Sequence, residues 1–341
     1  MRVLQVMAGA EYGGAEEFFT RLTIALHKTS IEQRVVIRRN EARAKRLVEG
    51  GVEPHQLRFG GRLDFATPWS LKRQISDFKP DIVMSWMNRA TTMCPAKGDF
   101  VHIGRLGGYY NMKYYRNCDH LIANTEDIAS YLTNNGWATE KVHYLPNFVG
   151  AKRTAPVDRK IYYTPHNAPL LLAMGRLHEN KAFDVLLEAV SRVPNCYLWL
   201  AGEGPLRKDL EQYAEKLGIK PRVRFLGWRD DPEALFGAAD LFICPSRHEP
   251  LGNVVIESWA HGVPVIAADS MGPGTLITQG DTGVLFPIDD VKILAGCIKR
   301  LIQEPSLAKE LSDNATLEFE ERFTEDIIVA EYLEFFERMI G

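Results

Sequence analysis

Several absences narrow the reading of this chain. No apolar stretch approaches the roughly 18–20 residues that a membrane-spanning helix needs, so an integral membrane protein is not expected. Cysteine is sparse: Cys94, Cys118, Cys196, Cys244 and Cys297 are scattered, and no two have metal-ligand spacing. That argues against a disulfide framework or a zinc site and for a reducing compartment. The formal net charge is only −3 over 341 residues, so the overall balance gives no case for nucleic acid. Internal repeats and low-complexity tracts are also lacking. Met1-Arg2 leads straight into an apolar run at 3–7, too short for a signal-peptide core. A cytoplasmic location is expected, with peripheral membrane contact left open.

What is present is an ordinary globular composition: 45% hydrophobic, 25% charged and 10% aromatic residues. At roughly 100–200 residues per domain, the length suits two domains. Charge is divided unevenly. Residues 1–150 hold 20 Lys and Arg against 15 Asp and Glu, and the remainder holds 21 against 29. A basic first half suits an anionic partner, such as a phosphorylated acceptor or a membrane surface; a solvated surface with chance asymmetry fits as well.

Short apolar runs alternate with amphipathic stretches along the chain. Strands are expected at 3–7, 33–37, 56–59, 82–86, 100–103, 120–123 and 143–145, then at 170–174, 197–201, 223–226, 241–244, 263–267 and 284–286. Phe18, Phe19, Leu22 and Leu26 recur at helical spacing within 15–28. Such alternation implies parallel strands joined by crossover helices. The pattern lapses between 149 and 169, where Pro156, Pro165 and Pro169 fall. The expected division is a Rossmann-like first domain at 1–150, a linker at 151–168, a second Rossmann-like domain at 169–322, and a last helix at 323–341 packing back towards the first domain. Ligands of open α/β sheets bind outside the carboxyl ends of the strands. Two such units facing each other would leave a cleft between them.

The densest constellation of chemistry follows the strand expected at 241–244. Glu249 and Glu257 stand eight positions apart, the first in a loop and the second on a helix that opens after Gly252. Glycine lets a ligand approach the backbone closely. The N–H groups of Leu251, Gly252 and Asn253, beside Pro250, can meet a diphosphate at a helix start. A carboxylate accepts hydrogen bonds from vicinal hydroxyls, as on a ribose or a hexose. Taken alone, the two glutamates would fit equally well as supports of a helix start.

The surroundings add to them. Upstream lies Gly175-Arg176-Leu177-His178-Glu179-Asn180-Lys181, and downstream Ala260-His261-Gly262-Val263-Pro264-Val265. With Gly13-Gly14-Ala15-Glu16 after the first strand, this chain resembles glycosyltransferase family 4 over essentially its whole length. The resemblance implies the GT-B fold, a nucleoside-diphosphate sugar as donor, no separate cofactor, and transfer with retained anomeric configuration. It implies Arg176 and Lys181 on the diphosphate, Glu249 on the sugar and Glu257 on the ribose. A guanidinium forks across phosphate oxygens and an ammonium supplies a point charge, so the chemistry agrees. Gly13 and Gly14 would reach the diphosphate from the first domain. Gly175, Glu203, Gly227 and Trp228 would border the nucleotide. Glu11, Tyr12, Arg105, Gly107 and Tyr109 are expected on the acceptor side. The sequence contains no Asp-x-Asp pair for a diphosphate-bound metal, so a metal-independent mode is expected.

Two departures from the family pattern stand out. The first-domain histidine that often faces the donor sugar is matched here by His102, which falls within a strand. Thr275 stands where relatives commonly carry glutamate. The implied acceptor is a glycan or glycolipid of the cell envelope, of the lipopolysaccharide-core type, and no nucleic acid partner is expected. Two other readings fit the same residues: a nucleotide-sugar epimerase of related fold, and a catalytically silent nucleotide-sugar-binding protein.

Overall fold

The computed structural model describes residues 1–11, 13–61 and 63–341. The chain forms two units. Met1–Phe148 and Glu325–Gly341 make up the first, and Val149–Thr324 the second. Strands of the first unit are β1 (Arg2–Met7), β2 (Glu32–Arg38), β3 (Pro54–Leu57), β4 (Ile82–Trp86), β5 (Val101–Leu106), β6 (His120–Ala123) and β7 (Val142–Tyr144). Those of the second are β8 (Leu170–Met174), β9 (Tyr197–Ala201), β10 (Val223–Gly227), β11 (Leu241–Cys244), β12 (Val265–Ala268) and β13 (Val284–Phe286).

Both sheets are parallel, with orders β3-β2-β1-β4-β5-β6-β7 and β10-β9-β8-β11-β12-β13. The chain winds outward in one direction and then returns to the centre to wind in the other. Each unit is therefore doubly wound and Rossmann-like, the pair of domains of the GT-B fold. Winding direction reverses between β1 and β4, and again between β8 and β11, where open α/β sheets bind ligands.

Periodicity explains the layers. Strands β4, β11 and β12 are buried along their full length, as expected of parallel strands covered by helices on both faces. The helix Gly14–His27 buries Phe18, Phe19, Leu22, Ala25 and Leu26, and carries Glu16 and Glu17 in its first turn, where acidic groups complement the helix dipole. Strand β3 lies two residues before its expected place. Phe59 falls beyond it at φ 44°, a left-handed conformation that a strand does not accommodate.

The helix Glu325–Ile340 belongs to the first unit. Its Ile328, Tyr332, Phe335 and Phe336 share one core with Val3, Phe18, Trp86 and Ile103. It carries Glu325, Asp326, Glu331, Glu334 and Glu337 against Arg338 alone. The basic excess of residues 1–150 is thereby largely offset within the folded unit. Segment 151–168, expected as a linker, lies in the second unit. Arg159 there donates to the carbonyls of Ala238 and Ala168 and pairs with Asp240 at 2.8 Å.

Candidate functional site

The carboxyl ends of β8 and β11 bring the strongest sequence candidates together. After β8 the chain makes a short turn, Glu179–Lys181, and then enters the helix Phe183–Ser191. After β11 it passes through Ser246 and Glu249 into the helix Asn253–Ala260. Lys181 Nζ, from the first loop, donates to Glu249 Oε2 on the second. The lysine side chain is 21% exposed and the glutamate 14%. Burial alone would lower the Lys181 pKa, but Glu249, Cys244 and Glu257 outweigh it and raise the value. The amine is thus held as a cation by carboxylates of both the loop and the helix.

Close backbone packing sets the position of Lys181. Its Cε would lie 3.1 Å from a Cβ placed on Gly175. A Cβ on Gly202, at the end of β9, would fall 1.9 Å from the Gly175 carbonyl oxygen, and Gly202 has φ 143°. Only glycine fits there. Gly202 N donates to the Gly227 carbonyl at 2.7 Å, and Leu177 N to the Glu203 carbonyl at 3.0 Å. The loops after β8, β9 and β10 are therefore stitched into one surface bearing Gly175, Arg176, Glu203, Gly227 and Trp228. Arg176 is exposed and has no ion-pair partner among the described residues. Trp228 is also exposed. The Glu203 carboxylate pairs with Arg207, one turn along.

Gly252 caps the helix Asn253–Ala260 at φ 85°. The first N–H groups of a helix have no partners within it, and this start lies beside Pro250 and buried Leu251. Glu257 follows on the same helix. The short helix Met271–Leu276 braces the loop from the other side, through a 2.8 Å bond from Gly272 N to the Glu249 carbonyl. Thr275 is exposed there and its hydroxyl donates to the Met271 and Gly272 carbonyls of its own helix.

One brace was not read from the sequence. Arg247 donates to both carboxylate oxygens of Asp184, at 3.1 and 2.7 Å, to Asp289 at 2.6 Å, and to the Glu179 carbonyl at 2.8 Å. It locks the loop of Glu249 to the segment that carries Lys181. Its partners lie 42 to 68 positions away, so no local spacing announces them.

In the first unit, the loop between β1 and its helix is held by side chains. Glu16 accepts from Ala10 N at 2.6 Å, and its carboxylate fills the space where a Gly13 side chain would stand. Arg43 donates to the carbonyls of Ala10 and Glu11 at 2.8 and 3.2 Å. Gly13 caps and Gly14 opens the helix Gly14–His27; Tyr12 lies outside the described residues. Gly107 follows β5, with only Ala15 and Asn124 near its open side. The Tyr109 hydroxyl donates to Asp127, and its ring meets Tyr131 edge-on at 5.2 Å.

Arg105 corrects its expected acceptor-side position. It is buried on β5, donating to Tyr332 Oη at 2.7 Å and to Asn147 Oδ1 at 2.5 Å. Its guanidinium lies 4.6 Å from the rings of both Phe18 and Trp86. Counting from β5, it points into the core that receives the last helix. His102, also on β5, is buried against Ser85 Oγ at 2.9 Å, and burial lowers its pKa. The segment 109–116 forms a single turn at Met112–Tyr114 and buries Tyr115 completely.

Known proteins resemble this chain in sequence and in fold. Residues 155–318 match the family model described as glycosyl transferases group 1, and residues 12–153 the model for glycosyltransferase family 4. The lipopolysaccharide core biosynthesis glycosyltransferase LpsD of Rhizobium meliloti is 37% identical over 100% of this chain and 99% of its own. This chain belongs to glycosyltransferase family 4. LpsE of the same organism is also 37% identical, over 94% of the enzyme described here and 95% of its own length. Among solved structures, Anabaena Alr3699/HepE in complex with UDP covers 99% of the enzyme and 100% of its own chain. Its TM-score is 0.87 at 22% identity, which establishes the common fold. The protein is a transferase, and the epimerase and silent-binder readings are not favoured. Among the described residues, no helix is long and apolar enough to cross a membrane.

Proposed function

We propose that this glycosyltransferase moves a hexose-type sugar from a nucleoside diphosphate onto a hydroxyl of a lipopolysaccharide-core glycolipid, at the cytoplasmic face of the membrane that holds the acceptor. The observation that carries the reading is the Lys181–Glu249 pair at the β8/β11 reversal. The acceptor class rests on the 37% identity to LpsD and LpsE. A uridine nucleotide is favoured because the Anabaena protein of the same fold is solved with UDP-glucose.

Arg176 and Lys181 neutralise the charge that develops on the leaving diphosphate, and the start of the helix Asn253–Ala260 adds its dipole. Glu249 orients the sugar and stabilises positive charge at its ring. Glu257 holds the ribose. The bond from the anomeric carbon to the phosphate oxygen breaks as the acceptor oxygen bonds on the same face. The acceptor proton passes to the departing phosphate, so no protein base is required and the configuration is retained.

Incubation of the enzyme with a truncated core glycolipid and a panel of nucleotide sugars tests this. The expected product is an acceptor heavier by one sugar, formed from one donor and in the presence of EDTA. Epimerised donor with unchanged acceptor, or binding without any product, overturns the reading.

A further inference from the structure

The segment after β3 exposes large apolar side chains that take no part in the site above. Leu63 is 87% exposed, Phe65 77% and Trp69 65%. Single exposed apolar residues are common, but three of this size within seven residues call for an explanation. They are not loose. Asp64 accepts from Gly60 N at 2.6 Å, Thr67 N at 3.0 Å and Thr67 Oγ1 at 2.7 Å. Thr67 Oγ1 in turn accepts from Phe59 N at 3.1 Å, beneath the surface. This hydrogen-bonded turn holds the apolar residues outward at the start of the helix Ala66–Phe78.

Cations flank them. Lys72 and Arg73 follow Trp69 by three and four positions, and Phe65 precedes it by four, so all four share one helical face. Among the described residues from 58 to 79, Arg58, Lys72, Arg73 and Lys79 stand against Asp64 and Asp77. Arg73 also pairs with Asp77 at 3.6 Å, an exposed i,i+4 contact of small worth. Indole and phenyl groups settle at the level of lipid headgroups, and neighbouring cations are drawn to anionic lipid.

We infer that Leu63, Phe65 and Trp69, with Lys72 and Arg73, form a docking surface for an anionic lipid membrane. The local charge carries this choice, since the unit as a whole is nearly balanced once its last helix is counted. The surface deepens the reading of a lipid-linked acceptor, on which it rests only for its purpose: it would hold the enzyme where such an acceptor resides.

Vesicle flotation tests the inference, with UDP affinity measured on the same preparations so that loss of the donor reading registers separately. Wild-type enzyme should float with vesicles of phosphatidylglycerol and phosphatidylethanolamine and remain behind with phosphatidylcholine alone. Leu63→Ser/Phe65→Ser/Trp69→Ser and Lys72→Glu/Arg73→Glu should each reduce flotation at least ~10-fold. Both should keep wild-type thermal midpoints, because the altered side chains are exposed. A blue shift of tryptophan emission on adding anionic vesicles should vanish in Trp69→Phe. Wild-type enzyme that does not float, a triple variant that floats unchanged, or equal flotation on phosphatidylcholine overturns the inference. So does a wild-type dimer that the triple substitution dissociates, which would make a second copy the partner.

Discussion

Lys181 Nζ and Glu249 Oε2 form an ion pair that links the loops after β8 and β11, the strands between which the second sheet reverses direction. Neither side chain is more than about a fifth exposed. Removing one therefore leaves the other with an uncompensated charge in a partly dry place. In a donor complex the lysine would also meet the diphosphate. Lys181→Ala and Arg176→Ala should each lower turnover at least ~10-fold, about 1.4 kcal/mol of transition-state stabilisation. Arg176 lacks the buried partner, so its loss should leave the thermal midpoint unchanged, whereas Lys181→Ala should lower it. Steady-state rates near wild type in both variants would remove these residues from the mechanism.

Arg247 joins the two loops without being assigned to the donor. Its ion pairs are partly exposed and together worth little stability, on the order of 1 kcal/mol. The geometry they maintain matters more to catalysis. Arg247→Ala should therefore reduce kcat/KM roughly tenfold or more with a small change in unfolding free energy. Arg247→Lys should rescue poorly, because an ammonium cannot fork across Asp184 while also reaching Asp289. Full activity in Arg247→Ala would show that the loops hold their places unaided.

Arg105 and Tyr332 make the opposite kind of pair, buried within the core of the first unit. Tyr332→Phe deletes the acceptor of the Arg105 Nε–H and should cost about 1–3 kcal/mol in urea unfolding. UDP affinity should stay at its wild-type value. A loss of nucleotide binding with unchanged stability would return Arg105 to a functional role.

Acid should weaken the packing of the last helix. His143 Nε2 lies 3.1 Å from His120 Nδ1, and its ring is 4.7 Å from that of Phe335. Burial first, then His120 and Arg338, bring the His143 pKa from 6.5 down to about 4. Burial also lowers His120, while Asp119 opposes and Lys141 assists that shift. In the unfolded chain these rings take up protons more readily. Their contribution to stability is complete above about pH 6.5 and is lost as pH falls towards 4. Thermal unfolding across this range should show a falling midpoint, and His143→Phe should flatten the dependence. An unchanged slope in His143→Phe would exclude the pair as its source.

Much of this architecture could be read directly from the chain. Buried parallel strands are continuous apolar runs, so β4, β6, β8, β9, β11 and β13 appear where periodicity places them. Strand β3 does not, because Pro54, His55 and Gln56 at a sheet edge carry little apolar signal. In the site, Gly175, Lys181, Glu249 and Gly252 announce themselves through glycine and charge beside strand ends. Arg105 misled for the same reason that it is informative: a charged residue near a strand end reads as a ligand contact unless its partner is visible. That partner, Tyr332, lies 227 positions away on a helix whose spacing records burial but not location. Arg247 was overlooked because its partners too are remote in sequence.

Calorimetric titration of UDP, GDP and ADP into wild-type enzyme, Glu257→Gln and Glu249→Gln tests the central claim, that the donor lies across the β8/β11 loops with its sugar at Glu249 and its ribose at Glu257. Wild-type enzyme should bind one of the three. Glu257→Gln should weaken that binding about tenfold or more, the loss of one charged hydrogen-bonding partner. Glu249→Gln should keep it nearly intact while lowering kcat, since the nucleoside diphosphate lacks the sugar that Glu249 would touch. Loss of affinity in Glu249→Gln with retention in Glu257→Gln would reverse the two roles, and failure of all three nucleotides to bind wild-type enzyme would contradict the account outright.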